Sequence, residues 1–249
     1  MKKIAVITPY YKEPTDMLRQ THESVLCQQG AEIDHFMIAD GYANLEVSKW
    51  KTKHIVLPQS HGDNGNTPRG IGSLLADVEG YDFIAYLDAD NWFHANHLES
   101  LLELHNETNA DICTSFRTFH SLNGEQLNVY EENEDNLLHV DTSCLLIHRK
   151  AFCLSTIWMQ MPRQVSPICD RIFVSAIHFN KFTMKSTLKR TVAFRSQYEH
   201  HYTEEMHLMP TGLKTDTTLK PSFDYLLSVN GVNACTTKMG FWPPTYMPT

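Results

Sequence analysis

Asp88 and Asp90, separated by Ala89 and followed by Asn91, are the residues of this chain most ready for chemistry. In an extended segment, residues two apart project to the same side, so both carboxylates can address one ligand. Held together without a cation, they repel and resist ionisation. A hard divalent ion such as Mg²⁺ or Mn²⁺ relieves that repulsion and keeps positions open for phosphate oxygens. The pair therefore indicates a metal-diphosphate site, against the plain alternative of an acidic turn that caps the next helix. Arg69 is a second candidate, because its planar donor fork suits phosphate and the start of a helix favours an anion, against the alternative of a solvated surface charge. Tyr10 offers a flat face on which a ring can stack, with ordinary core or rim packing as the equal alternative for it and Tyr11. Asp40 precedes Gly41 as a turn former would, and Asp170 has the ordinary explanation of a first-turn or capping acid.

The elements that must position these groups follow from the apolar pattern. Short β-rich runs at Lys3 to Thr8, Ile33 to Ala39, Lys53 to Leu57 and Phe83 to Leu87 alternate with amphipathic stretches, as in strand-helix-strand units of a largely parallel sheet. Thr15 is expected to cap a helix that ends at Gly30, and Thr67 to cap one that runs from Pro68 to Glu79. A third helix is expected from Ala95 to His105. From Asp111 onward the texture changes. Ile112 to Phe116 and Gln126 to Tyr130 flank the turn signal Asn123-Gly124, Ser143 to Ile147 reads as a short strand, Ile168 to Phe179 as a helix and Thr191 to Arg195 as the last strand. The final 45 or so residues show no clean period. Open α/β sheets bind ligands outside the carboxyl ends of their strands, and Thr8 to Tyr11, Asp40 and Asp88 to Asp90 all fall at such ends.

Composition narrows the classes. The chain has 249 residues with 21 Lys and Arg against 29 Asp and Glu, a formal charge of −8, so no general attraction to nucleic acid or anionic lipid is expected. No apolar run approaches the roughly 20 residues of a bilayer span, and Ile4 to Ile7 is too short for a signal-peptide core, which leads to the expectation of a cytoplasmic protein. Six cysteines without a C-x-x-C pair read as reduced thiols. Gly70 and Gly72 fit a close backbone approach near Arg69, but form no G-x-G-x-x-G fingerprint, which argues against a dinucleotide oxidoreductase. Fourteen histidines include no zinc spacing; His94 and His97 near Asp90 are read as packing residues, and Trp92 as either a ring that stacks on a ligand or a helix anchor.

The ordered set Ile4-Ala5-Val6-Ile7-Thr8-Pro9-Tyr10, Ser24-Val25-Leu26-Cys27-Gln28, Met37-Ile38-Ala39-Asp40-Gly41 and Phe83 to Asn91 resembles the nucleotide-sugar half of the family 2 glycosyltransferases of the GT-A fold. The resemblance covers about Lys3 to Glu103 and continues more faintly through Val140 to Phe152 and Cys169-Asp170-Arg171. It implies an α/β protein with a Rossmann-like, mostly parallel central sheet flanked by helices and a smaller antiparallel acceptor-side part. Residues 1–110 would bind the nucleotide sugar, 111–204 the acceptor, and 205–249 would form an arm or lid. The implied reaction is metal-dependent, inverting transfer of a sugar from a nucleotide-diphosphate donor to a hydroxyl of a glycan, lipid-linked or small-molecule acceptor.

The resemblance assigns roles in turn. Thr8, Pro9 and Tyr10 would line the nucleobase pocket, and Asp40 would accept a hydrogen bond from the base. Arg69 would reach the donor. Asp90 would hold Mn²⁺ or Mg²⁺, with Asp88 on the ribose or sharing the metal, and His200 or His201 could complete the metal shell. Asp170 would take the acceptor proton, although the family often carries Glu-Asp where this chain has Cys169-Asp170. Glu131 and Glu132 are fallback bases within an acidic run. Other readings are a non-catalytic sugar- or partner-binding homologue, a nucleotidyltransferase, which lacks its usual glycine-rich loop here, and a haloacid dehalogenase-like phosphatase, whose motif would lie near the N-terminus.

Overall fold

The computed structural model describes residues 1–129, 139–202 and 209–246. Its elements are β1 (Lys3–Tyr10), α1 (Thr15–Leu26), β2 (Glu32–Ala39), β3 (Lys53–Val56), α2 (Asn66–Val78), β4 (Phe83–Tyr86), β5 (Trp92–Phe93), α3 (His97–Thr108), β6 (Ile112–His120), β7 (Leu145–His148), α4 (Thr156–Gln160), α5 (Cys169–Phe179), β8 (Met184–Arg195), α6 (Lys220–Leu227) and α7 (Val229–Met239). One eight-stranded sheet runs through the molecule in the order β3-β2-β1-β4-β7-β6-β8-β5. β1 to β4 pair in parallel, and the reversal comes at β7, which is antiparallel to both β4 and β6. β8 returns parallel to β6, and β5 pairs antiparallel with it. The fold is thus the mostly parallel, helix-flanked α/β sheet expected from the alternating pattern.

Burial explains the strands. Ile4 to Ile7 and Phe83 to Leu87 are almost wholly buried, because helices cover both faces and every side chain of the run finds apolar company. Helix starts differ from expectation for local reasons. Thr67 is not the cap of α2: Gly65, at φ +77°, precedes the helix, and the Asp63 carboxylate receives both the Thr67 N–H and its hydroxyl. Pro14 rather than Thr15 precedes α1. Gly70 and Gly72 serve packing instead of ligand approach, since a Cβ at Gly70 would lie 2.5 Å from Met159 Cγ and one at Gly72 2.6 Å from Ile38 Cδ1. α2 can therefore press close to α4 and the sheet.

Beyond Asp111, β6 continues to His120, past its expected end at Phe116, and its hairpin partner is reduced to the single bridge His120↔Gln126. Tyr130, Glu131 and Glu132 lie outside the described residues. Thr142–Cys144 forms a short 3-10 turn, so β7 begins only at Leu145, and β8 starts at Met184, well before Thr191. The aperiodic C-terminal stretch contains α6 and α7, which pack through Leu226, Cys235 and Met239. All six cysteines are free thiols. No helix among the described residues is long and apolar enough to cross a membrane.

Candidate active site

β4 ends at Tyr86, and the chain then turns, with the Asn91 N–H bonded to the Asp88 carbonyl at 3.0 Å. Asp88 and Asp90 therefore reach a common space through this turn rather than through strand pleat. Ser143 pins the turn by accepting from Asp88 N and Asn91 Nδ2, each at 3.2 Å. Arg195 pins its far side, donating its backbone N–H to Asn91 Oδ1 and its Nε to the Asp90 carbonyl. Side-chain contacts from chain positions more than 50 residues away thus fix the geometry of the two carboxylates.

Two clefts meet there. One, of about 580 Å³, is bounded by Pro9, Tyr10, Tyr11, Asp40, the 60–65 loop and Arg163. The other, of about 290 Å³, is bounded by Arg117, His139, Asp141, Asp170, Arg171 and Tyr198. Asn64, Arg69, Asp88, Asp90, Gln197 and Lys214 form the wall common to both. Pro9, Tyr10 and Asp40 on one side and Asp170 on the other thus meet at a wall that holds Arg69, Asp88 and Asp90.

Arg69 lies in the first turn of α2, only 4% exposed, with its guanidinium paired to Asp88 and donating to the Asn64 carbonyl at 2.8 Å. Burial opposes its charge, but Asp88 outweighs that cost and raises its pKa. Its Nε, also buried, has no hydrogen-bond partner among the described residues. Asp40 is buried as well. Its carboxylate accepts from Ser60 Oγ at 3.1 Å, His61 N at 3.0 Å, His61 Nδ1 at 2.7 Å and Gly62 N at 3.3 Å. Burial pushes this carboxyl up, yet those hydrogen bonds prevail and hold it below its usual range. Gly41, at φ +85°, permits the approach, because a Cβ there would lie 2.4 Å from Ser60 N.

Thr8 does not reach either cleft. Its hydroxyl is buried and bonded to His35 Nε2 at 2.8 Å, and His35 in turn contacts His22, which stacks on Trp50. Tyr10 borders the larger cleft but is 3% exposed; its ring packs among Leu18, Met37 and Val47 and its hydroxyl bonds His54 Nε2 at 2.6 Å. A buried ring has little face to offer, so Tyr11 is the available aromatic at the rim. It is 38% exposed and meets Tyr42 edge-on at 4.7 Å, with Lys12 above both rings. His94 and His97 have packing partners in Thr118 and Thr191, and Trp92 packs against His120 beneath Arg195.

Asp170 opens α5. Its Oδ1 receives the Arg171 N–H at 2.7 Å, and its Oδ2 is bonded to His139 Nε2 at 2.7 Å. Burial opposes ionisation, but His139 dominates and, with Arg171, brings the carboxyl to about 2. Asp90 shows the opposite balance: burial and the neighbouring Asp88 push it up to about 7. Such a carboxyl gains from a nearby cation, and the two carboxylates offer the oxygen ligands that Mg²⁺ and Mn²⁺ prefer, beside the cationic Arg69 and Lys214 of the same wall. Asp88 and Asp90 thus fit a hard divalent ion. No group of three or more His, Cys, Asp or Glu among the described residues could hold one, so diphosphate and water oxygens would have to complete the shell. His200 and His201 border the smaller cleft, where His201 Nδ1 is bonded to Ser196 Oγ.

Gln197, Lys214 and His139 were not singled out by sequence. Gln197 donates to Asp90 Oδ2 at 3.1 Å, and Lys214 is brought beside it by the Lys214 N–H to Gln197 carbonyl bond at 2.6 Å. No local motif marks either residue. A polar Gln197-Tyr198-Glu199-His200-His201 run directly after a strand was the one available signal.

Residues 5–161 match the sequence profile of Glycosyl transferase family 2, and the chain belongs to that family. A search of curated proteins returns no match. Among solved structures, S. aureus TarS 1-349 in complex with UDP aligns at a TM-score of 0.59 and 16% identity, covering 78% of this chain and 60% of that one. The same fragment in complex with UDP-GlcNAc aligns at 0.59 and 14% identity, covering 95% and 73%. S. aureus TarS covers 79% of this chain, which spans 37% of that longer protein. At such identity the likeness establishes the GT-A type of fold. Family membership displaces the nucleotidyltransferase and phosphatase readings.

Proposed function

We propose that this chain is a metal-dependent, inverting glycosyltransferase that moves a sugar from a nucleotide-diphosphate donor to an acceptor hydroxyl. The observation that carries the reading is the wall of Arg69, Asp88 and Asp90 shared by two clefts, where a donor's diphosphate would lie between its nucleoside and its acceptor. In this assignment residues 1–110 bind donor, 111–204 face the acceptor, and 205–249 supply Lys214 to the shared wall. Asp40 receives the nucleobase, Pro9 and Tyr11 flank it, and Tyr10 holds the pocket from below. Thr8 acts through the interior and not by contact. The TarS complexes support a uridine nucleotide as the first donor to test.

Asp90, with Asp88, would hold Mn²⁺ or Mg²⁺, which supplies charge neutralisation for a departing diphosphate. Arg69 adds a fixed cation on the same side and orients Asp88. On the opposite cleft wall the Asp170 site removes the acceptor proton as oxygen attacks the anomeric carbon. A non-catalytic homologue would bind nucleotide sugar without turnover. The test is donor hydrolysis or transfer by the full chain with Mn²⁺. Turnover should stop with chelator and fall at least about 100-fold in Asp90→Ala; turnover that persists in both would remove the metal-site reading, and binding without any turnover would favour the non-catalytic one.

A further inference from the structure

His139 lines the same cleft as Asp90 and Asp170, about as open to solvent, at 25%, as its partner Asp170, at 23%. Its Nε2 bonds Asp170 Oδ2 at 2.7 Å. A carboxylate only accepts, so the proton of this bond belongs to Nε2, which leaves the neutral ring with its lone pair on Nδ1. Nδ1 has no hydrogen-bond partner among the described residues. Asp170, by contrast, already accepts at both oxygens, from His139 and from the Arg171 N–H.

We infer that His139 Nδ1 is the atom that takes the acceptor proton, and that Asp170 is a positioning residue that fixes the imidazole's tautomer and steadies its positive charge. The inference rests on the transferase reading above and assigns its base. As the acceptor oxygen bonds to the anomeric carbon, its proton passes to Nδ1. The bond from that carbon to the diphosphate oxygen breaks, and its electron pair leaves with the diphosphate. The imidazolium so formed faces the Asp170 carboxylate, as in other acid-oriented histidine bases. Both Asp170 oxygens already accept a hydrogen bond, which agrees with this division of labour.

Other ionisable groups face the same space. Arg171 on α5 and the buried pair of Arg117 with Asp141 bound the cleft, as do Tyr198 and Lys214. His200 and His201 are the other imidazoles there, and Arg69, Asp88, Asp90 and Arg195 line it as well.

His139→Gln is the discriminating variant. The glutamine amide can still donate to Asp170, but it has no basic nitrogen. The experiment follows hydrolysis of UDP-GlcNAc, or of whichever UDP-, GDP- or dTDP-sugar gives the largest thermal shift, by the full chain with Mn²⁺ at one fixed pH. His139→Gln should lose about 10²- to 10⁴-fold in rate while its nucleotide-induced thermal shift is retained. Imidazole added to His139→Ala should restore part of the lost rate, and should restore none to Asp170→Ala, which keeps its own imidazole. The inference is overturned if His139→Gln retains the wild-type rate, if it loses nucleotide binding as well as rate, or if added imidazole leaves His139→Ala unchanged. Absence of both binding and hydrolysis in the wild type would remove the transferase reading and this inference together.

Discussion

Arg69 answers to two demands at once. It must remain charged inside the protein, and it must hold Asp88 at the edge of a cleft. The neighbouring carboxylate, the Asn64 carbonyl and the face of Trp158, 5.3 Å from the guanidinium carbon, meet the first demand. Breaking a fully buried ion pair costs about 3–5 kcal/mol, but Asp88 is 29% exposed and water can recover part of that. Arg69→Ala should therefore lower stability by about 2 kcal/mol in urea unfolding. It should also weaken nucleotide-sugar binding by at least about tenfold, and Arg69→Lys, which keeps charge without the planar fork, should restore more stability than affinity. Unchanged affinity in both variants would place the diphosphate elsewhere. Arg69 was legible in sequence because it stands beside a helix start; its partner Asp88, 19 positions on, was legible only as half of an acidic motif.

At the scale of elements, the loop between β3 and α2 is the part most dependent on local backbone chemistry. Its attachment to Asp40 needs Gly41 both for the positive φ and for the 2.4 Å gap to Ser60 N. Gly41→Ala should therefore cost at least about 1–2 kcal/mol from the left-handed backbone alone. It should also drive the 60–62 loop away from Asp40, and calorimetry should show a larger proportional loss of nucleotide affinity than of folding stability. Equal affinity would mean that this loop does not shape the base pocket. β1 and β4 were readable because buried parallel strands are continuous apolar runs. α6 and α7 were not, since Pro221, Gly231 and scattered Thr and Asn break the apolar period while a few residues such as Leu226 and Cys235 carry the packing. β1 runs on to Tyr10, past its expected end at Thr8, and where the Thr8 and Tyr10 side chains settled depended on His35 of β2 and His54 of β3.

Across the whole molecule, burial of histidine sets the response to acid. His22, His35, His54, His94, His97, His120 and His148 are all held below the usual imidazole value, with burial the leading cause, and His97 falls to about 3. Asp90 and Asp141 are raised by burial and act in the opposite sense. Below about pH 6.5 the folded chain therefore binds fewer protons than the unfolded one: the seven lowered histidines act against these two carboxyls, and the lowered Asp40, Glu46, Asp111 and Asp170 add to the histidines in more acid solution. Histidine-linked stability is complete above that pH and is lost as pH falls toward each folded value, at up to about 1.4 kcal/mol per pH unit for each net proton. The Tm should drop clearly between pH 7.5 and 5, and a Tm unchanged over that range would contradict these buried neutral rings. The same long-range packing explains why the active site was only partly legible. Asp40, Arg69, Asp88, Asp90 and Asp170 carry motif or helix-start signals, whereas His139, Gln197 and Lys214 join them only once the sheet has closed.

Calorimetric titration of a UDP-sugar into the full chain, with Mn²⁺ or with chelator, and into Asp90→Asn, puts the shared wall to the most direct test. The account predicts binding that requires Mn²⁺ and is lost in Asp90→Asn with the fold intact. Binding of equal strength in chelator, or in the variant, would contradict it.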